Sequence, residues 1–228
     1  MKKILIFCGH PDDDAIALGG TICKFANEGT EINEVVFATG NEGYSSLELK
    51  EKIVEIRKEE MERAGKILGI TNYDIFDYTD YGIPANEVTY KLAIKMIRKY
   101  RPDIIFTHYW LDYMAHKSVA TVVTEAWWQA GWAASLELGE PWKAKSLYYF
   151  EVLQLLPQVS HIVDISATFQ AKIEALKCYT SQQPVVAGML QHVEGLAKLR
   201  GSMIGVKYGE ALLSSDFVQK RIESVEEL

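Results

Sequence analysis

Short continuous apolar runs alternate along this chain with longer segments of helical period. "KKILIF" (2–7), "INEVVFATG" (32–40), "NYDIFDY" (72–78) and "DIIFTHY" (103–109) are β-prone runs of strand length. Between them stand "DAIALGGTICKFANEG" (14–29), "SLELKEKIVEIRKEEMERAGKILGI" (46–70) and "NEVTYKLAIKMIRKYR" (86–101), each with apolar residues at helical spacing. The second of these carries its stripe on Ile53, Ile56, Met61, Ala64 and Leu68, and Gly29, Gly69 and Pro102 act as stop signals. A further helix is predicted at about 117–138. Strands follow in "KSLYYFEVL" (145–153) and "HIVDI" (161–165), and helices in "ATFQAKIEALKCYTS" (167–181) and "VEGLAKLRGSMIG" (193–205).

Parallel strands need long crossovers, and helical crossovers cover both faces of the sheet they connect. The pattern therefore predicts an α/β, Rossmann-like, mostly parallel β-sheet with helices on both faces. Its active site is expected at the carboxyl ends of the strands, near the point where strand order reverses. No linker, internal repeat or low-complexity stretch divides the 228 residues, so 1–228 reads as a single domain with only the last dozen residues peripheral.

Composition narrows the function classes. With 48% hydrophobic residues, 24% charged and a net charge of −7, the chain is an ordinary globular protein and is not built to coat nucleic acid. No apolar run approaches the ~20 residues of a membrane span. "MKKILIF" meets His10 and three aspartates too early to be a signal-peptide core, so a cytoplasmic protein without a membrane partner is expected. Cys8, Cys23 and Cys178 show no paired spacing, and neither a disulfide framework nor a thiolate zinc site is predicted.

The chemistry is concentrated in "GHPDDDAIALGG" (9–20), where a histidine and three aspartates follow the first strand directly. In a turn that opens a helix, residues three apart lie on one side, so His10 and Asp13 can share a centre while Asp12 and Asp14 project elsewhere. Nitrogen and carboxylate oxygen together suit zinc, with other divalent transition metals as alternatives. "DIIFTHYWLDYMAHKS" supplies a third ligand, either His108 or His116. Two histidines, one carboxylate and an open position form a hydrolytic zinc site, where bound water falls to a pKa near ~7. A free carboxylate beside it, Asp12 or Asp14, would be the general base. One aspartate alone would be read as a helix cap, but three adjacent like charges require something to offset them. Trp110, Trp127, Trp128 and Trp132 lie in and after the His116 loop. Indole faces can line a glycan pocket, although the one-turn spacing of Trp128 and Trp132 fits packing against the core or a subunit neighbour better.

"GHPDDDAIALGG" resembles the signature loop of the PIG-L (LmbE-like) zinc deacetylases, which remove acetyl groups from N-acetylglucosamine-containing compounds. "IRKEEMERAGKILGI" (56–70) is similar to that family's Arg-and-Glu helix and "DYTDYGIP" (77–84) to its following loop. "KIEALKCYTSQ" (172–182) and "LRGSMIGVKYGEAL" (199–212) are similar to its carboxyl-terminal segments. The resemblance implies that His10, Asp13 and His116 are metal ligands, that Asp12 is the base, and that Arg57 lies near bound substrate or product. It also implies an acetylated amino sugar or glycoconjugate as substrate and a homo-oligomer, often a trimer or hexamer. Family members act on chitobiose-type sugars, thiol-glycoside precursors, and lipid-linked or antibiotic glycans. One departure stands out. The family's second motif, Asp-x-His-x-Asp-His, is here "DYMAH" (112–116), without the inner His and Asp that polarise the carbonyl or orient the acid. His108, Asp112, His192 or Tyr208 would substitute. Arg57, His108, Asp112 and Trp110 are thus the candidate substrate contacts.

Two rivals remain. A magnesium-dependent phosphoryl-transfer enzyme would also use consecutive aspartates, but it would need no histidines and the chain has no Walker lysine loop. A non-catalytic or altered-specificity relative is favoured by the shortened second motif and disfavoured by Asp12, since a binding module has no use for a base beside the metal.

Overall fold

The computed structural model describes residues 1–218. The chain runs β1 (Lys3–Cys8), α1 (Asp13–Asn27), β2 (Glu31–Ala38), α2 (Ile53–Leu68), β3 (Asn72–Tyr78), α3 (Glu87–Tyr100), β4 (Ile104–His108) and α4 (Met114–Ala130). It continues with β5 (Ser146–Phe150), β6 (His161–Asp164), α5 (Phe169–Lys177), α6 (Met189–Ser202) and β7 (Gly209–Ser214). The strands form one seven-stranded sheet in the order β3-β2-β1-β4-β5-β7-β6. Pairings from β3 to β5 are parallel, and β7 runs antiparallel to both β5 and β6. Strand order reverses between β1 and β4, so the carboxyl ends of those two strands border the crevice where this architecture keeps its ligands.

Two-residue alternation sorts the strand side chains into two apolar layers. Leu5, Phe7, Val35, Phe37 and Ile105 pack on one face against Ile94 and Ile97 of α3 and Val119 and Val123 of α4. Ile4, Ile6, Cys8, Ile32 and Val36 pack on the other against Leu18 and Ile22 of α1, Met61 and Leu68 of α2, and Leu176 of α5. Each such fully buried aliphatic or aromatic side chain contributes about 1.5–3 kcal/mol by leaving water. The glycine pair of α1 has a packing reason: a Cβ on Gly20 would lie 2.7 Å from Ile165, so the segment before α5 could not seat against the helix. No described helix is long and apolar enough to cross a membrane.

Element boundaries differ from the sequence expectation where tertiary contacts decide them. The helix expected over 46–70 begins at Ile53, after a short 3-10 turn at Leu47–Leu49, because Leu47 is exposed and the buried stripe starts only at Ile53. The helix expected to reach 138 ends at Ala130, and a 3-10 turn covers Leu136–Leu138. Buried Arg98 explains the stop. Its guanidinium donates to the carbonyls of Ala130, Trp132, Ala134, Ser135 and Gly139 at 2.7–3.2 Å, gathering the released backbone around one cation. Trp127 is buried, whereas Trp128 and Trp132 are exposed, so core packing does not explain their spacing. The carboxyl-terminal helices are Phe169–Lys177 and Met189–Ser202, and β7 is a strand the apolar pattern did not predict. Of the last dozen residues read as peripheral, 219–228 lie outside the described residues.

Candidate metal centre

The crevice between β1 and β4 is built from the two strand ends and the helices that follow them. His10 and Pro11 form the turn into α1, which opens at Asp13, and His116 stands in the first turn of α4. The turn is fixed from below by Tyr179, whose fully buried hydroxyl donates to the Pro11 carbonyl at 2.6 Å. Gly9 permits the close approach of the other parts. A Cβ there would lie 3.0 Å from the His116 ring and 3.4 Å from Asp13 Oδ2.

His10, Asp13 and His116 converge, and all three are buried. His10 Nδ1 lies 3.3 Å from His116 Nε2 and 3.6 Å from Asp13 Oδ2, and His116 Nε2 lies 3.1 Å from Asp13 Oδ1. Two ligands held about 2.0–2.1 Å from a tetrahedral zinc stand about 3.3 Å apart, so these separations, which run to both Asp13 oxygens, are of the size such a site requires. Its donor set of two imidazoles and one carboxylate suits zinc or a neighbouring transition metal. Burial opposes the charge on Asp13, but the His116 imidazole beside it and the His10 contact outweigh it and hold the carboxyl well below its usual range. Burial likewise opposes charge on His116, and the Asp13 and Asp112 carboxylates overcome it, pushing the imidazole up to about 9.

Around this triangle the structure distributes the other candidates. Asp112 Oδ1 lies 3.4 Å from His116 Nδ1, and Oδ2 accepts the N–H groups of Leu153 and Gln154 at 3.2 Å. Asp112 thus sits behind His116 as the partner of its distal nitrogen, an arrangement that orients a ligating ring. His108 is fully buried, stacked on His116 with centroids 3.7 Å apart, and its Nε2 accepts the Gly9 N–H at 2.9 Å while touching Asp13 Oδ2 at 3.2 Å. That acceptor role keeps the ring neutral, in line with burial and His116 pushing its pKa down to about 4. Arg57 is buried and its Nη2 donates to Asp12 Oδ1 at 2.9 Å.

The structure places the expected substrate contacts differently from one another. His108 and Asp112 are buried against His116 and Asp13, His108 on the face of the His116 ring and Asp112 at its distal nitrogen. Arg57 meets Asp12 through Nη2 alone, which leaves Asp12 Oδ2 clear of it, and its buried Nε has no hydrogen-bond partner. Tyr208 is stacked on Phe169 at 3.7 Å in a separate apolar cluster, and His192 Nε2 faces the Val152 carbonyl at 3.3 Å, so neither joins the centre. Trp110 stays on the rim, 38% exposed and edge-on to Tyr149. Asp14 turns inward: it is 1% exposed, and burial, then the Asp12 and Asp13 charges, push it up to about 7.

Two groups escaped the sequence reading. Tyr113 lies over the centre, its hydroxyl 3.0 Å from His10 Nδ1. Counted back from His116 in the second motif, it takes the place of the inner His, and Ala115 that of the inner Asp. Asp80, at the end of the β3 loop, accepts the Glu42 N–H at 3.0 Å while its buried Oδ1 has no partner.

Comparison with known proteins places this geometry. The chain is 28% identical over 224 residues to the diacetylchitobiose deacetylase of Thermococcus kodakarensis, covering 93% of this chain and 82% of that one. It is 25% identical to the 1D-myo-inositol 2-acetamido-2-deoxy-alpha-D-glucopyranoside deacetylase of Thermomonospora curvata, with 82% of each covered. Among solved structures, N,N'-diacetylchitobiose deacetylase from Pyrococcus horikoshii matches with a TM-score of 0.87 at 24% identity over 95% of this chain and 84% of that one. The 4-carboxy-2-hydroxymuconate hydratase from Pseudomonas putida matches with a TM-score of 0.83 at 23% identity over 98% and 99%. These structural likenesses speak for the fold alone, since a deacetylase and a hydratase share it. Residues 5–127, more than half of the 228, match the family model described as GlcNAc-PI de-N-acetylase, PIG-L, and the chain belongs to that family.

Proposed function

We propose that this protein is a metal-dependent N-deacetylase that hydrolyses the acetamide of an N-acetylglucosamine-type sugar or glycoconjugate. His10, Asp13 and His116 would hold zinc or another divalent transition metal. The observation that carries the reading is their convergence, ligand atoms 3.1–3.6 Å apart, with Asp12 adjacent in the same turn. The relatives' activities and the family membership support the substrate class.

When bound, the metal supplies Lewis acidity toward the acetyl oxygen and acidifies water at the site. Asp12 takes the proton of the attacking water through Oδ2, while Arg57 on Oδ1 fixes the carboxylate. As the C–O bond forms and the C–N bond breaks, that proton passes to the leaving nitrogen, giving acetate and a free amino sugar. Asp112 holds the His116 ring and His108 holds the Gly9 turn, so both act by positioning. A cytoplasmic homo-oligomer, trimeric or hexameric, belongs to the same reading.

Amine release from N-acetylglucosamine and diacetylchitobiose by the zinc-loaded protein is the test, run beside Asp12→Asn. Expected are turnover by the parent and a loss of about 10²–10⁴-fold in the variant with its metal retained. Stoichiometric metal without turnover on a broad panel of acetylated sugars would instead favour the altered-specificity or binding relative.

A further inference from the structure

Tyr113 is held over the centre by three separate contacts. As the residue preceding α4 it has its N–H bound to Asp112 Oδ1 at 2.7 Å. Its ring lies against His116 with centroids 4.1 Å apart and stacks on His10 at 5.8 Å and 14°. The hydroxyl then reaches to 3.0 Å from His10 Nδ1. Among the described residues no other hydroxyl makes a hydrogen-bond contact with His10 Nδ1, His116 Nε2 or the Asp13 carboxylate. The residue is 43% exposed, whereas His10, Asp13 and His116 are 1–7% exposed, so the phenol lies between the centre and solvent.

His10 Nδ1 has a single lone pair. A cation held by His10, Asp13 and His116 uses that pair, and the Tyr113 hydroxyl loses its hydrogen-bond partner on His10. With ring and backbone fixed, its proton is left to bond an oxygen arriving beside the three ligand atoms. We propose that Tyr113 Oη donates a hydrogen bond to the acetyl oxygen of the substrate and strengthens that bond as the carbonyl becomes an oxyanion. Tyr113 thereby supplies the donor that the shortened "DYMAH" motif lacks in its histidine form. The inference rests on the N-deacetylase reading and adds to it a catalytic residue that touches the reacting oxygen. No bond to Tyr113 forms or breaks in the step, and its proton returns to the same oxygen afterwards.

The test is Tyr113→Phe, which keeps the ring and removes only the hydroxyl. Losing one donor to a developing oxyanion costs about 10²–10³ in kcat. Expected is a fall of that size in kcat with KM nearly unchanged and metal per chain equal to that of the parent. A second readout needs no turnover: affinity of the zinc-loaded proteins for the methylphosphonamidate of glucosamine, a tetrahedral mimic of the hydrated acetamide. The variant should lose affinity for it by about the same factor as kcat while binding glucosamine as the parent does. Parent-like kcat together with parent-like phosphonamidate affinity would overturn the inference and leave the deacetylase reading standing. Loss of metal from the variant would overturn it too, making Tyr113 a cover for the ligands. A parent that turns over no acetylated sugar and ignores the phosphonamidate would overturn both.

Discussion

Two clusters of buried charge touch α1, and their differences separate a scaffold from a site. At the middle of the helix, Lys172 meets Glu210 at 2.5 Å, and the same carboxylate accepts the Gly20 and Thr21 N–H groups at 3.0 and 2.7 Å. Next to it Arg200 grips Glu151 through two bonds of 2.8 and 2.6 Å, and Glu151 also accepts the Leu156 N–H. Every carboxylate oxygen there is bonded, so the low dielectric that makes buried charge costly is offset. At the amino end of the helix the polar atoms converge on a point. Three imidazoles surround one carboxylate, and His10 Nδ1, His116 Nε2 and the Asp13 oxygens lie 3.1–3.6 Å from one another. Lone pairs aimed together are unfavourable unless a cation joins them. Satisfied charge holds β7, α1 and α5 in place; converging charge marks the candidate metal centre.

The largest effect that would sharpen this comparison is expected at the satisfied cluster. Glu210→Leu strands the Lys172 ammonium and two backbone N–H groups, at a cost of about 3–5 kcal/mol of stability. Urea unfolding measures the cost, and elemental analysis should find metal per chain unchanged in the folded variant. A parallel fall in metal content would mean that the two clusters are not independent.

A smaller effect is expected behind the ligands. Asp112→Ala removes the carboxylate that faces His116 Nδ1, and partners of this kind are worth about 10–100-fold in metal affinity or activity. Competition against a chelator of known affinity reads the loss directly. Unchanged affinity would reduce Asp112 to a cap for the 153–154 backbone.

Glu34 belongs to neither cluster, and its effect is small within any one pH unit and grows with pH. It is fully buried in β2 with neither carboxyl oxygen hydrogen-bonded, and burial, then the Asp14, Asp13 and Asp12 charges, push its pKa well up. The unfolded chain ionises a glutamate near about 4.3, so above that pH the native state carries an extra proton and stability falls as pH rises. The loss is at most about 1.4 kcal/mol per pH unit for one proton. Glu34→Gln cannot ionise, so its stability relative to the parent should grow between pH 5 and pH 8 in urea titrations. Equal slopes would mean that Glu34 has a partner in solution.

How much of this could be read from the sequence depended on how local the contacts were. His10 and Asp13 stand three apart in one turn, so spacing alone brought them together, whereas spacing left the third position open between His108 and His116 and only the family resemblance chose His116. The alternation of strands and helices likewise made the parallel half of the sheet legible. Contacts spanning many residues were not. The pairing of Arg57 with Asp12 joins positions 45 apart, and only folding brings the arginine to that carboxylate. β7 was invisible because "GEALLS" carries a glutamate whose burial makes sense only with Lys172 beside it. The end of α4 depended on Arg98 arriving from α3. Tyr113 was hidden differently, since a tyrosine in a loop has no signature until its hydroxyl is found beside His10.

The central claim is that His10, Asp13 and His116 form a metal site. Elemental analysis of the protein purified without chelators and reconstituted with zinc, beside Asp13→Ala and Glu210→Leu, tests it most directly. The account predicts about one zinc per chain in the parent and in Glu210→Leu, and close to none in a folded Asp13→Ala. A parent that takes up no metal, or an Asp13→Ala variant that keeps it, would contradict the account.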